Sequence, residues 1–360
     1  MGAAIAYELS LCPEVQLTVF DRSASGQGST AAALGVAMAV ISHKVKGRNW
    51  RLREQSLHRY QTLLPELEAL TGQTIQRNTQ GILSLCFEAE ELPRWRSLQE
   101  IRHGQGYRLE LWEPEQVRDR CPHLSTDGVV AGVFSPQDFQ VNPTELTQAL
   151  VAGAVANGVE FHFEQPVVGF ETEGSGGEGA VCTAVHIATQ TIVADAIVLS
   201  AGLGTLPLTQ SLAQPTAVGP VLGQALRLHL NSPLGKPDFQ PVVNGHDIHL
   251  VPLGGGDYWV GATVEFPPEV SLEAALAMQP EAERLEEVRA GAIAYCPALS
   301  TGTITQRWFG LRPRPQGQAA PVIQPLAGYR NVWLATGHYR NGVLLAPATA
   351  LAVRDRLMGD

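Results

Sequence analysis

The chain has 360 residues, 44% of them apolar and only 17% charged, with 36 glycines, 24 prolines and a formal net charge of −10. This composition excludes a coiled coil and a disordered chain, and the length favours two domains or one large interrupted one. No Lys/Arg block is present to collect the phosphates of nucleic acid or of an anionic membrane, and no run reaches the roughly 18 apolar residues that a membrane helix needs.

In chain order, residues 2–10 read as a helix and "VQLTVFD" at 15–21 as a buried strand with Asp21 at its end. "RSASGQGSTAAALGVAM" at 22–38 reads as a Gly/Ser loop opening into a small-residue helix. The periodic stretch 49–72 predicts a helix with Pro65 as a kink or restart. "QGILSLCF" at 80–87 returns to strand character, and 88–140 is polar apart from a short helix in "WEPEQVRDRCPHL". Pro143 opens a clear helix with Thr144 at its start and Gly158 near its stop. Strands follow at "VEFHF" and "PVVGFETE", with "GSGGEG" at 174–179 as a hairpin-type loop. Residues 181–205 read as two strands and a glycine turn. Strand signals then dominate 216–300, around a polar helix at 271–294. A strand, a glycine turn and a long helix close the chain at 329–358. The pattern predicts an α/β nucleotide-binding (Rossmann-like) domain built from discontinuous segments, interrupted by an antiparallel-sheet α+β domain.

Several short stretches carry chemistry. Asp21 follows Gly2 by close to the spacing between a dinucleotide fingerprint turn and the carboxylate that bonds ribose hydroxyls. A strand-end aspartate capping the next turn is the alternative. In "GQGST" at 26–30 the glycines permit close backbone approach, and Ser29 and Thr30 can cap a helix or bond a phosphate. "LSAGLGT" at 199–205 adds a second such turn. "ATGHYRNGVLLAPATA" at 335–350 places Gly337, His338, Tyr339, Arg340, Asn341 and Gly342 ahead of an apolar helix. The positive end of that helix suits an anion or a reduced flavin ring, and a solvated loop is the alternative. Arg307, Arg312 and Arg314 lie in "QRWFGLRPRP", where one arginine can hold a carboxylate bidentately and a salt-bridged surface role is the alternative.

Other chemistries find no support. There is no G-x-S-x-G. The ten histidines include no HxxxH, and the nearest pair, His246 and His249, sits at a strand start. The cysteines at 12, 86, 121, 182 and 296 form no CxxC and read as reduced thiols, which favours a reducing compartment. No metal site is expected. The apolar start lacks the basic region of a signal peptide, so a cytoplasmic location is expected.

Taken with these motifs, the chain resembles the FAD-dependent D-amino-acid-oxidase superfamily over nearly its whole length, in the glycine oxidase and sarcosine oxidase branch. "VFDRSASGQGSTAAALG", "VNPTELTQAL", "ADAIVLSAGLGT", "YWVGATVE", "GLRPRP" and above all "TGHYRNGVLLAP" carry the resemblance. It implies noncovalent FAD. Gly2, Asp21 and Arg22 would stand at the adenosine end. Ser29, Thr30, Ala32 and Ala33 would line the pyrophosphate and flavin loop, and Val167 would touch the adenine. Ala201 and Gly202 would border the dinucleotide, and Gly337, His338, Arg340, Asn341, Gly342, Val343 and Leu344 would surround the flavin ring. Arg312 would pair with a substrate carboxylate, with Arg340, Tyr339 and His249 completing the pocket.

The resemblance further implies an FAD domain at 1–79, 136–215 and 306–360 and a substrate domain at 80–135 and 216–305. The reaction would be oxidation of the C–N bond of glycine, sarcosine or a small D-amino acid to an imine, with O2 reduced to H2O2. A link to thiamine biosynthesis would follow, and a homo-oligomer is compatible with the reading. The alternatives are a dehydrogenase that uses a quinone, and a degenerate non-catalytic flavoprotein. Two departures stand out. Gly2 matches the last glycine of the family's opening turn, so the strand and glycines before it would lie ahead of Met1, and a chain lacking them would bind FAD badly. His249 and Leu253 also stand where relatives carry a tyrosine and an arginine.

Overall fold

The computed structural model describes residues 1–174, 179–267, 274, 277–278 and 281–359. Most of the hairpin loop expected at 174–179, and much of the first half of the helix expected at 271–294, lie outside those residues.

The chain opens with α1 (Gly2–Ser10), β1 (Thr18–Phe20), β2 (Val36–Ala37), α2 (Gly47–Thr71), β3 (Arg77–Asn78), β4 (Ile82–Cys86) and α3 (Leu92–Gly104). It continues through β5 (Glu110–Trp112), α4 (Pro114–Arg120), β6 (Ala131–Ser135), β7 (Phe139–Val141), α5 (Pro143–Ala156), β8 (Glu160–His162) and β9 (Val167–Glu173). Next come β10 (Val181–Ile187), β11 (Thr191–Val193), β12 (Ile197–Leu199), α6 (Thr205–Ser211), β13 (Val218–His229), β14 (Val242–Gly245), β15 (Ile248–Gly254) and β16 (Asp257–Gly261). The last elements are α7 (Ala282–Tyr295), β17 (Thr303–Pro315), β18 (Val322–Pro325), β19 (Val332–Thr336) and α8 (Gly342–Met358).

Two regions result. In the first, β1 pairs in parallel with β8, and β12 pairs in parallel with β19. The helices α1, α2, α5 and α8 pack together beside them. Their core includes Ile5, Tyr7, Leu9, Leu63, Leu67, Leu150, Leu345 and Val353. The small residues of α1 let that helix be buried on nearly every side, as expected of a helix without a polar face. The second region is an eight-stranded sheet in the order β17-β13-β16-β15-β14-β4-β6-β5, antiparallel except for the β14–β4 pair. Distant pieces of the chain thus make a discontinuous Rossmann-like domain and a separate antiparallel sheet region.

The sheet has two buried faces. On one, Leu226, Leu228, Leu250 and Val260 pack with Leu285, Val288 and Tyr295 of α7. On the other, Ile82, Ala225, Val242 and Val251 meet Leu34, Val36 and Met38. This second face therefore looks onto the segment that follows the glycine loop.

Three expectations are corrected. No helix forms at 22–38: the segment is a series of turns ending in β2. Gly26, Gly28 and Gly35 take positive φ there, and a Cβ on Gly35 would stand 1.8 Å from the Val141 carbonyl oxygen. The long helix continues through Pro65 with no restart. Thr144 lies at the start of α5 as expected, and Asn142 caps the helix, its side chain accepting from the Thr144 and Glu145 amides. Residues 181–205 hold three strands instead of two. The sequence reading also passed over α3, whose only buried residues are Leu98 and Arg102, so its apolar period is nearly silent.

Candidate active site

Strand register brings together residues that are distant in sequence. Trp308 stands opposite Ala225, Ala225 opposite Gly261, Gly261 opposite His249, and His249 opposite Asn244. Side chains two apart on a strand share a face, so Arg312 and Gly310 share the face of Trp308. The glycine loop lies on this end of the sheet. Ser29 donates its hydroxyl to the Leu311 carbonyl at 2.6 Å, and the Trp308 indole donates to the Ala32 carbonyl at 3.1 Å. A Cβ on Gly310 would come within 2.2 Å of the Ala32 Cβ.

Arg312 is held by its own backbone surroundings. Its Nη1 donates to the carbonyls of Leu222 and Thr263, both at 3.0 Å, and the guanidinium lies over Gly223. Burial and then the like charge of Arg340 lower its proton affinity, while Tyr339 and Glu265 raise it. Glu265 accepts from Gln224 Nε2 at 3.0 Å and from the Thr263 hydroxyl. Arg340 lies 3.8 Å from the exposed Asp247. Arg314 stacks between Phe266 and Tyr339, whose backbone is left-handed at φ 53°. Burial first, then Arg340 and Arg312, push the His249 imidazole down to about 4, against an opposing pull from Asp247.

The turn after β19 is packed tightly. Gly337 takes φ 66°, and a Cβ there would meet Pro315 Cγ at 2.5 Å. His338 is buried and shares a hydrogen bond with the Thr349 hydroxyl at 2.9 Å. Burial holds it neutral, pushing it down to about 3. Asn341 accepts from Arg53 Nη2 at 3.1 Å, Gly342 opens α8, the Val343 carbonyl accepts from Tyr60 at 2.5 Å, and Leu344 is buried.

The other turns gather at the strand ends of the first region. Gly2 opens α1 so close to β12 that a Cβ would reach Ser200 Oγ at 2.9 Å. Asp21 follows β1, and its carboxylate accepts from the Ser23 amide at 2.9 Å, which is the turn-capping role. Its carbonyl accepts from Gln165, two residues before Val167 opens β9. Arg22 is exposed. Gly202, at φ 56°, lies 3.9 Å from Pro313 as measured from a built Cβ. A Thr205–Thr336 hydroxyl pair ties the turn after Ala201 to the end of β19. Thr30 and Ala33 close one turn of the glycine loop through a backbone bond of 3.1 Å.

The profile of the FAD dependent oxidoreductases (DAO) matches residues 1–356. The chain belongs to this family. It is 32% identical over 366 residues to the bifunctional protein ThiO/ThiG of Synechocystis sp., covering 99% of this chain and 50% of that protein. The chain thus spans about half the length of its ThiO/ThiG relatives. It is 30% identical over 349 residues to glycine oxidase of Pseudomonas putida, covering 96% of this chain and 88% of the other. In fold it matches the crystal structure of glycine oxidase from Geobacillus kaustophilus, with a TM-score of 0.88 at 24% identity over 100% of this chain and 92% of the other. Among the described residues, no helix is long and apolar enough to cross a membrane.

The DAO family's FAD fits what the described residues leave unsatisfied. Ser25 Oγ in the glycine loop and Arg53 Nε behind Asn341 are buried without partners, where the oxygens of a dinucleotide would satisfy them. The sequence reading missed Ser25, Arg53, Thr263, Glu265 and Asn244. The Ser29 hydroxyl donates to the Leu311 carbonyl of β17.

Proposed function

We propose that this chain oxidises the C–N bond of a small amino acid or secondary amine, such as glycine, sarcosine or a small D-amino acid, to an imine, with O2 reduced to H2O2. The observation that carries the reading is Arg312: a half-buried guanidinium held by two carbonyls, on the sheet face that receives the glycine loop. A carboxylate is the ligand that a fixed, partly desolvated guanidinium binds best.

Arg312 anchors the carboxylate and Arg340 adds charge on its far side. Tyr339 and His249 bound the space left for the amine and the α-carbon. FAD, held without a covalent bond, supplies the two-electron chemistry and its return to O2. Gly2, Asp21, Arg22 and Val167 hold its adenosine end. Ser29, Thr30, Ala32 and Ala33 hold the middle, with Ala201 and Gly202 beside them. The turn from Gly337 through His338, Arg340, Asn341, Gly342 and Val343 to Leu344 receives the ring. The cofactor region comprises 1–79, 136–215 and 306–360, and the substrate region 80–135 and 216–305. The ThiO/ThiG relatives support a place in thiamine biosynthesis, and the reduced-thiol pattern supports a cytoplasmic setting.

The test is direct. Purified protein loaded with FAD should absorb near about 450 nm and release peroxide with at least one of glycine, sarcosine or D-alanine. Reduction of a dye acceptor without peroxide would replace the oxidase reading with a dehydrogenase. A flavin-loaded protein inert to the whole panel would defeat both.

A further inference from the structure

One row of the site-facing sheet is polar where its neighbours are apolar. Ser84, Asn244 and His249 stand in register across β4, β14 and β15, flanked on the same strands by Ile82, Val242 and Val251. Asn244 Nδ2 donates to Ser84 Oγ at 3.4 Å. Asn244 Oδ1 and His249 Nδ1 are both buried with no partner. Residues directly opposite in an antiparallel pair have Cβ atoms about 5 Å apart, within reach of an amide and an imidazole. The two atoms do not bond each other as placed, and a hydrogen bond from Nδ1–H to Oδ1 would satisfy both and remove two desolvation penalties. The His249 ring is only part-buried, and of its two nitrogens Nδ1 alone is sealed.

We propose that Asn244 fixes His249 as the Nδ1–H tautomer, so that Nε2 offers a neutral hydrogen-bond acceptor to the amine N–H of a carboxylate-bearing substrate. This rests on the carboxylate reading of Arg312. The two guanidiniums supply donors for the carboxylate and no acceptor for the amine. The charged groups around His249 are Arg340 from the turn after β19, Asp247 from the turn before β15, and Arg312 from β17. Asp247 is exposed and faces Arg340, so it leaves the acceptor role open. A protonated His249 would add a third cation beside Arg312 and Arg340, and the neutral ring avoids that repulsion. The tautomer is then set by the bond at the other nitrogen, and Asn244 is a positioning residue.

The experiment uses the full FAD-loaded chain with 15N-labelled histidine. Near neutral pH, His249 should show a protonated Nδ1 and a bare Nε2. The Nε2 resonance should move upfield on adding 2-aminoisobutyrate, which has an amine and no oxidisable α-hydrogen, and stay put with acetate. Asn244→Leu should give a tautomer mixture and weaken 2-aminoisobutyrate binding by about tenfold, with acetate binding kept within about twofold. Asn244→Asp, which keeps an acceptor at that position, should restore the single tautomer. An Nε2-protonated ring, an Nε2 unmoved by saturating 2-aminoisobutyrate, or equal losses for both ligands would overturn the assignment. Should the expected shifts appear in a protein that oxidises no amino acid, the pair stands and the oxidase reading falls.

Discussion

The guanidinium of Arg312 lies directly on Gly223: a Cβ at position 223 would come within 2.3 Å of Arg312 Cζ. Glycine there leaves the room in which the arginine folds back to the Leu222 and Thr263 carbonyls. Gly223→Ala should therefore push the flexible end of Arg312 out of place while leaving β13 and β17 paired. The expected result is a KM for amino-acid substrates raised about tenfold or more, with kcat changed less. Arg312→Ala should cost about 1.5–3 kcal/mol in kcat/KM, the worth of a charged hydrogen bond. Steady-state kinetics on both variants check this, and an unchanged KM in both would remove Arg312 as the anchor.

A second close contact joins the glycine loop to the sheet. With Ala32 Cβ at 2.2 Å from any Cβ on Gly310, Gly310→Val must lift the loop and strain the Ser29–Leu311 and Trp308–Ala32 bonds. Flavin retention should drop sharply while far-UV dichroism stays unchanged, because the displaced segment carries turns and not sheet. Flavin absorbance per protein after gel filtration is the measurement. Full flavin content in this variant would show that the loop does not hold the cofactor.

Those two contacts mark the border of what could be read in the sequence. The run from β19 through Gly337 to α8 was legible because strand, glycine turn and apolar helix follow one another locally. The same holds for α1 and for the end of β1 at Asp21. What lies across the sheet was not legible. Ser84 and Asn244 are 160 positions apart, and only strand register makes them neighbours. Gly223 looked like one glycine among many until the register placed Arg312 above it. The misread helix at 22–38 has the same cause: its alanines favour a helix locally, but the turns are fixed by β17 and β7, far away in sequence.

Neutral histidines, His338 buried and His249 and His123 half-buried, should make the fold acid-sensitive. His338 is held down to about 3, and His249 and His123 down to about 4, chiefly by burial. Each binds a proton less readily when folded than when unfolded, where the value is 6.5. The unfolded chain therefore takes up more protons as pH falls below that value, and stability present at neutral pH is lost toward pH 4. Each group contributes a slope of at most about 1.4 kcal/mol per pH unit. Urea midpoints at about pH 7 and about pH 5 should differ accordingly. His338→Gln, able to keep a bond to Thr349, should flatten the dependence by one group's share. An identical slope in that variant would exclude His338 from the effect.

The segment after β2 should depend on one buried carboxylate. Asp138 is fully buried and accepts the amides of Ala39 and Val40 on Oδ1, at 2.8 and 2.9 Å, and that of Ile41 on Oδ2 at 2.8 Å. Arg102, stacked on Trp50, takes the carbonyls of the same segment: Val40 at 2.7 Å, Ser42 at 2.7 Å and Lys44 at 3.1 Å. Asp138→Ala strands three buried amides and leaves the charge of Arg102 less balanced, a loss of about 3–5 kcal/mol. Asp138→Asn keeps one acceptor oxygen, enough for Ala39 and Val40, and turns a donor toward the Ile41 amide. Its loss should be smaller than that of alanine but well above the measurement error. Denaturant titration of the two variants tests the ordering. Equal stability of wild type and Asp138→Ala would mean that the three amides find other partners, and the carboxylate would then have no structural role.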